Sequence, residues 1–476
     1  MAPSQGSSTD PGSRGISGWR SKLAGQGRGK WIRTLAFSIA GALVVMTATA
    51  VASATGASPG QANARTNAAG HDVVADGSKM IAKGQRVFRF DTFGDQAFWG
   101  GTLQLEKAIE GAGNGGVGPG LSPVAALGVG LKVDVDALPQ SVLDGIKDGT
   151  VDLNDPATTL ALLKLNAVVG VKGVFNSDGT LNSVGIECAL CHSTVDDSFA
   201  PGIGHRLDGW ANRDLNVGAI IGLAPNLQPV ASLLGVSVAT VHTVLNAWGP
   251  GKFDAELFLD GKGFQPDGRS AAALIPPAFG LAGINLHTWT GWGSIPYWNA
   301  FVAVLEMHGK GDFVDARLDN AEQFPIAAKN GFGHILVKDD RVTKVLPALQ
   351  AYELSLKAPK PPAGSFNAQM AAAGKALFDG PAECSTCHVP PIFTEPGQNL
   401  HTGAEIGIDN FEADRSPTHM YRTSPLAGLW THLKGGFYHD GRFPTLLSVV
   451  QHYNTVFHLN LTQAQENDLV QYLLSI

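Results

Sequence analysis

The sequence predicts a mainly α-helical chain made of two related units with long loops, and three observations carry that reading. The pattern Cys-x-x-Cys-His occurs twice, from Cys188 to His192 and from Cys384 to His388. Two closing segments read alike: Tyr352-Glu353-Leu354-Ser355-Leu356 and, at the end of the chain, Tyr472-Leu473-Leu474-Ser475-Ile476. Between them Ala358-Pro359-Lys360-Pro361-Pro362 is a stiff break that no helix continues through. The predicted units are therefore 79–358, enlarged, and 359–476.

The repeated motif is the spacing that attaches a c-type haem covalently. Two thiols add across the two vinyl groups of one porphyrin, and the histidine that follows supplies a ring nitrogen to the iron. The chain has four cysteines, and these motifs use all of them: Cys188 and Cys191 with His192, Cys384 and Cys387 with His388. A redox dithiol needs no histidine after its second cysteine, and the two halves of a four-cysteine zinc site usually lie closer in sequence. Two covalent haems are the expected cofactors, His192 and His388 the proximal ligands.

Ahead of the first unit, Arg14, Arg20, Lys22, Arg28, Lys30 and Arg33 form a basic leader, followed by 21 uncharged residues from Thr34 to Ala54. That is an export signal with a small-residue cleavage site at Ala52-Ser53-Ala54, or a retained membrane anchor. Either places the body across the cytoplasmic membrane, in the periplasm or its equivalent. Residues 55–78, rich in Ala, Gly, Asn and Ser, read as a flexible tether.

Without the leader's six basic residues and one acid, the 34 basic and 41 acidic residues leave a body of net charge −12. Nucleic acid is excluded as a partner, and a basic redox protein suits the surface.

Within the first unit, Pro156 to Val169 reads as a helix. Gly170 to Phe175 and Leu181 to Ile186 pair as a hairpin around Ser177-Asp178-Gly179. Thr288-Trp289-Thr290-Gly291-Trp292 and Pro296-Tyr297-Trp298 line a haem or ligand pocket, or form ordinary core. In the second unit Phe366 to Phe378 reads as a helix stopped at Asp379-Gly380, directly before the motif. The last helix opens on Thr462-x-x-Gln465, a capping box, and buries Leu469, Val470, Leu473 and Leu474.

The stretch from Tyr421 to Asn454, with Gly436-Phe437-Tyr438-His439-Asp440-Gly441-Arg442 and Val449-Val450-Gln451-His452-Tyr453-Asn454, resembles the C-terminal half of the bacterial di-haem cytochrome c peroxidase superfamily. The resemblance covers Phe366 to the end well and the first motif loosely. It implies two cytochrome c-like haem domains: a six-coordinate C-terminal haem that passes electrons, and an N-terminal haem that meets oxidant. In the family, a methionine or a tyrosine fourteen residues after the His-Asp-Gly histidine is the sixth ligand; here that position is Tyr453. Met420 is the rival, with His432 and His452. His205, thirteen residues after His192, matches a displaceable ligand of the first haem, the alternative being an open iron with His205 on a propionate.

Three departures bear on activity. The family's Phe-Trp-Asp-Gly-Arg after the first haem is met only by Phe98-Trp99-Gly100-Gly101, which precedes it. No peroxidatic glutamate is identified by motif, and Glu306 is the candidate. Lys434 and Gly436 stand where the family's interdomain calcium site has threonine and proline, which places calcium in doubt. The expected function is electron transfer with reduction of hydrogen peroxide at the N-terminal haem. The alternatives are a non-catalytic relay, or an oxygenase acting on an apolar substrate through the segment from Trp289 to Trp298.

Overall fold

The computed structural model describes residues 59–395 and 399–476, so the leader 1–54 lies outside the described residues. Helices dominate, and the strands among the described residues form six two-stranded sheets. The helices needed here are α1 (Pro59–Phe90), α2 (Pro156–Lys164), α3 (Val238–Trp248), α4 (Leu346–Ser355), α5 (Ala368–Asp379), α6 (Leu446–Val456) and α7 (Gln463–Leu474). Residues Arg65–Ile476 form one compact unit.

The first correction concerns α1. Where composition reads as a tether over 55–78, the chain is helical from Pro59 onward. Pro59 suits the first helical position, no later proline interrupts the run, and alanines recur along it. Glycine and asparagine weaken a helix without terminating it when tertiary packing holds one end.

That packing is a close helix crossing, and it occurs twice. A Cβ on Gly84 of α1 would lie 1.9 Å from the Ala348 carbonyl oxygen of α4. A Cβ on Gly374 of α5 would lie 2.0 Å from the Asp468 carbonyl oxygen of α7. One turn after each glycine a phenylalanine meets a tyrosine edge-on. Phe88 and Tyr352 have ring centroids 5.5 Å apart, and Phe378 and Tyr472 5.1 Å. Each unit is thus closed by a Gly-x-x-x-Phe helix seated on a tyrosine-bearing helix.

The remaining sequence expectations fall into place around these crossings. Val171–Phe175 and Leu181–Ile186 pair antiparallel as the expected hairpin. Helix α2 stops at Lys164, earlier than expected, and α5 runs through Asp379. Thr462 and Gln465 make both bonds of the capping box. Residues 356–367 contain no helix.

Three apolar clusters fill the interior: one around Leu103, Leu163, Leu215 and Trp248, one around Phe88, Trp292, Phe301 and Tyr352, and one around Phe378, Leu469 and Leu473. The segment from Trp289 to Trp298 belongs chiefly to the second. Trp292 and Trp298 stack at 5.1 Å, and Trp292 meets Phe301 and Phe324 edge-on, so these aromatics are packed core.

Gly374→Val forces α5 from α7. Overpacking of this kind costs about 1–3 kcal/mol of unfolding free energy, measured from the urea midpoint; an unchanged midpoint would mean the crossing is looser than these distances.

Candidate haem sites and the buried acid beside them

The first motif is held through its backbone. The hairpin leads into Cys188, Ala189–His192 form one helical turn, and Ser193–Val195 then pairs with Arg206–Asp208. The Gly209 N–H donates to the His192 carbonyl at 2.8 Å, and the Asn212 N–H to that of Cys191 at 2.9 Å. Cys188 packs on the second apolar cluster and Cys191 on the first, so the motif sits on the seam between them.

His192 Nδ1 lies 3.1 Å from the Pro276 carbonyl oxygen. In the second motif His388 Nδ1 lies 3.1 Å from the Phe393 carbonyl oxygen. A ring N–H donating to a backbone carbonyl fixes the tautomer and turns Nε2 toward a metal. Burial lowers the pKa of both imidazoles, that of His192 to about 4, which keeps the ligand form neutral. The donor sets therefore fit haem iron: a fixed imidazole with two cysteines one turn away, at both sites.

Glu306 lies beside the first motif. Its side chain is buried, and neither carboxylate oxygen has a hydrogen-bond partner. Burial, with the Glu256 and Asp254 carboxylates nearby, raises its pKa well above the ordinary carboxyl range and so favours its protonated form. The Cys191 sulfur is close enough to feel its charge. Glu306 and His308 line a cavity of about 90 Å³ whose other walls are mostly apolar, among them Phe98, Trp99, Leu245 and Phe258. Phe98 stacks on His308 at 3.6 Å, and the Trp99 N–H donates to the Met307 carbonyl at 3.0 Å. Phe98-Trp99, displaced in sequence, thus reaches this cavity from the other side of the motif. The cavity and His308 went unseen in the sequence because their walls come from five separate segments.

The acids near Glu306 surround one cation. Arg415, from the C-terminal half, has no exposed side-chain surface; it pairs with Asp254 at 2.7 Å and Asp260 at 2.8 Å, both equally buried. Glu412 Oε2 lies 3.8 Å from the same guanidinium. Its N–H groups also donate to the carbonyls of Lys262 and Ala271.

Near the second motif, Tyr453 on α6 faces Cys384 and Cys387 closely enough for both thiols to act on its phenol. Its ring stacks on Phe457 at 5.5 Å and lies 6.2 Å from Tyr438. Met420 is exposed, and His452 Nε2 is taken by the Ile406 carbonyl at 2.8 Å. His432 Nε2 is buried without a partner. Cys387, Glu395 and His401 bring their ligand atoms within 4.8 Å of one another. Within that group His401 and Glu395 pair at 2.7 Å.

His205 lies on the return segment after the first motif, where its carbonyl accepts from the Asp196 N–H at 3.0 Å. Its side chain is 59% exposed, and Nδ1 pairs with Asp136 at 2.9 Å. It directly precedes the strand Arg206–Asp208 and points to solvent, where the carboxylate captures it. At Lys434 the ammonium lies 2.5 Å from Asp214, which also accepts from Lys132 at 2.7 Å. That carboxylate is already balanced by two cations. Trp210, just after the first motif, meets Trp430 of the C-terminal half edge-on at 5.4 Å.

Arg415→Met leaves Asp254 and Asp260 buried without their counter-charge. Breaking a buried pair in this way costs about 3–5 kcal/mol, read by chemical denaturation, and adding Asp254→Asn and Asp260→Asn should recover part of it. A stability loss below about 1 kcal/mol would show that the pairs are solvated.

No family model matches the chain. Methylamine utilization protein MauG of Methylorubrum extorquens is 30% identical over 248 residues, covering 49% of this chain and 67% of that protein. Two solved structures overlap it at 16% identity. Hydrazine synthase of Kuenenia stuttgartiensis has a TM-score of 0.26, over 47% of this chain and 86% of that one. A MauG-like protein associated with microbial copper homeostasis has a TM-score of 0.29, over 46% and 79%. Overlaps this low set no constraint on the fold. With two paired motifs, fixed imidazoles and a MauG relative matched over two thirds of its length, the chain belongs to the di-haem cytochrome c peroxidase superfamily.

Proposed function

We propose that the protein is an exported oxidoreductase with two covalent c-type haems, which takes electrons from a redox protein through the C-terminal haem and reduces hydrogen peroxide at the N-terminal one. The balanced step is H2O2 + 2 H⁺ + 2 e⁻ → 2 H2O, the electrons coming from the redox partner. Haem iron on His192 supplies the centre at which the O–O bond is cleaved.

The observation that carries the reading is Glu306. A buried, protonated carboxylic acid with both oxygens free of hydrogen bonds, beside Cys191, is a group able to move a proton at the departing oxygen. The apolar walls around it exclude water and keep that proton in place until it is used. His308, whose pKa burial lowers to about 4, stays neutral beside it and adds no competing charge.

In this reading His192 would hold the first haem without His205 as a second ligand. Tyr453 would hold the second together with His388, its phenolate oxygen favouring ferric iron and a low potential. The body's net charge of −12 suits a basic donor protein. A second reading, an oxygenase for an apolar substrate, is favoured by the lining of the cavity at Phe98, Leu245 and Phe258, not by the segment from Trp289 to Trp298.

Glu306→Gln should lower peroxide turnover by about 10²-fold or more while a pyridine haemochrome assay still returns two haems per chain. Wild-type turnover should fall as pH rises through the elevated pKa of Glu306, because the donor form is the protonated one. Full activity in the variant would remove Glu306 from the reaction. Insertion of dioxygen into an apolar alkene without added peroxide would favour the oxygenase.

Tyr453→Met should raise the potential of the C-terminal haem and produce a sulfur-to-iron charge-transfer band in the near infrared. If Tyr453→Phe leaves the spin state and potential as they were, another residue holds that iron.

A further inference from the structure

We infer that Arg213 and His432 form a carboxylate clamp that holds a haem propionate across the two halves of the protein, an inference that rests on the haem reading above. Arg213 follows Asn212, whose backbone and side chain are bonded to the carbonyls of Cys191 and Gly130, both at 2.9 Å. The guanidinium is therefore fixed beside the first motif. It is 8% exposed, and neither Nε nor Nη1 has a hydrogen-bond partner. Among the described residues no carboxylate comes within ion-pair range of it.

His432 approaches from the other half, directly after the turn Leu429–Thr431, and feels the Arg213 charge. Its Nε2 is also buried without a partner. An imidazole next to an unpaired guanidinium is neutral and has one N–H to donate.

Every neighbouring anion is already in use. Asp214 is shared by Lys132 and Lys434. Asp440 is taken by Arg269 at 2.7 Å and Arg442 at 2.9 Å, and its backbone oxygen accepts from Lys252. Lys252 adds a further positive charge to the vicinity of Arg213. Burying an unpaired cation among other cations is costly, so this arrangement calls for an anion. A planar guanidinium matches a carboxylate through two parallel N–H bonds, and a c-type porphyrin brings two carboxylates to each motif. The clamp joins a segment beside the first motif to one from the C-terminal half, so the propionate can come from either haem.

The test uses the full-length, haem-loaded protein. Arg213→Gln and His432→Gln are compared with wild type in spectroelectrochemical titration of each haem and in the propionate bending bands of the resonance Raman spectrum. Removing the cation stabilises the ferric form, so the potential of one haem should fall and its propionate band should shift. The haem that responds is the source of the carboxylate. Arg213→Lys keeps the charge and loses the fork, and should shift the band while largely retaining the potential; it serves if the glutamine variant does not fold. Unchanged potentials and bands in Arg213→Gln would overturn the clamp. So would a wild-type potential that moves with added chloride or phosphate while the bands of the variant match wild type, since the ligand is then a free anion. A haem count below two in the wild type would instead defeat the haem reading on which the clamp rests.

Discussion

One guanidinium organises the interior. Arg415 crosses from the C-terminal half into a pocket built by Asp254, Glu256 and Asp260 of the N-terminal half, and brings Glu412 with it; Glu306 lies beyond, near enough to Glu256 and Asp254 to feel both. Arg415 and the half-exposed Lys262, 3.9 Å from Asp260, cannot neutralise five carboxylates in a medium of low polarisability. Asp254 and Asp260 take hydrogen bonds from Arg415, and burial then pushes Glu256 up to about 7 and raises Glu412 and Glu306 as well. Glu306, outside those ion pairs, is left with burial and two nearby carboxylates that favour its protonated form, the form its proposed role as an acid calls for.

Around this centre the chain repeats one mechanical device. Gly84 and Phe88 stand to Ala348 and Tyr352 as Gly374 and Phe378 stand to Asp468 and Tyr472. The glycine lets two helix backbones touch, and the aromatic pair locks their angle. Both motifs then present an imidazole tethered through Nδ1 to a carbonyl. The differences lie in what surrounds the second face of each site. One has a largely apolar cavity with an acid; the other has the tyrosines of the segment from Tyr438 to Tyr453.

Features written in local patterns were legible from the residues alone. The two motifs, the hairpin around Asp178-Gly179, the capping box at Thr462 and the closing helices all depend on neighbours in sequence. Helix α1 was not legible, because its Gly- and Asn-rich stretch has the composition of a linker and its helical state depends on a partner 267 residues away, as the Gln85–Tyr352 contact shows. Glu306 carries no motif, and its distinguishing property, burial without a hydrogen bond, exists only in three dimensions. The same holds for Arg213, an unremarkable arginine in sequence. For His205 the spacing from His192 is suggestive, while its pairing with Asp136 at the surface is a feature only the folded chain shows.

The two helix crossings differ in how far apart their partners lie along the chain. In the C-terminal unit Asn367 contacts Gln471 across 104 residues, against 267 for Gln85 and Tyr352. The longer loop adds only about 0.8 kcal/mol of closure entropy, so the finished protein is little affected. Its effect falls on assembly. Helix α1 is made early, yet the residues that cover Gly84 and Phe88 follow only after the whole first motif region and the acid pocket. Until they arrive, an apolar stripe on α1 has no cover and is open to mispairing. The second crossing closes over less than half that distance. Of the two units, the one that carries Glu306 has the longer unprotected interval, and a chaperone that shields a newly made chain would have its site of need on α1.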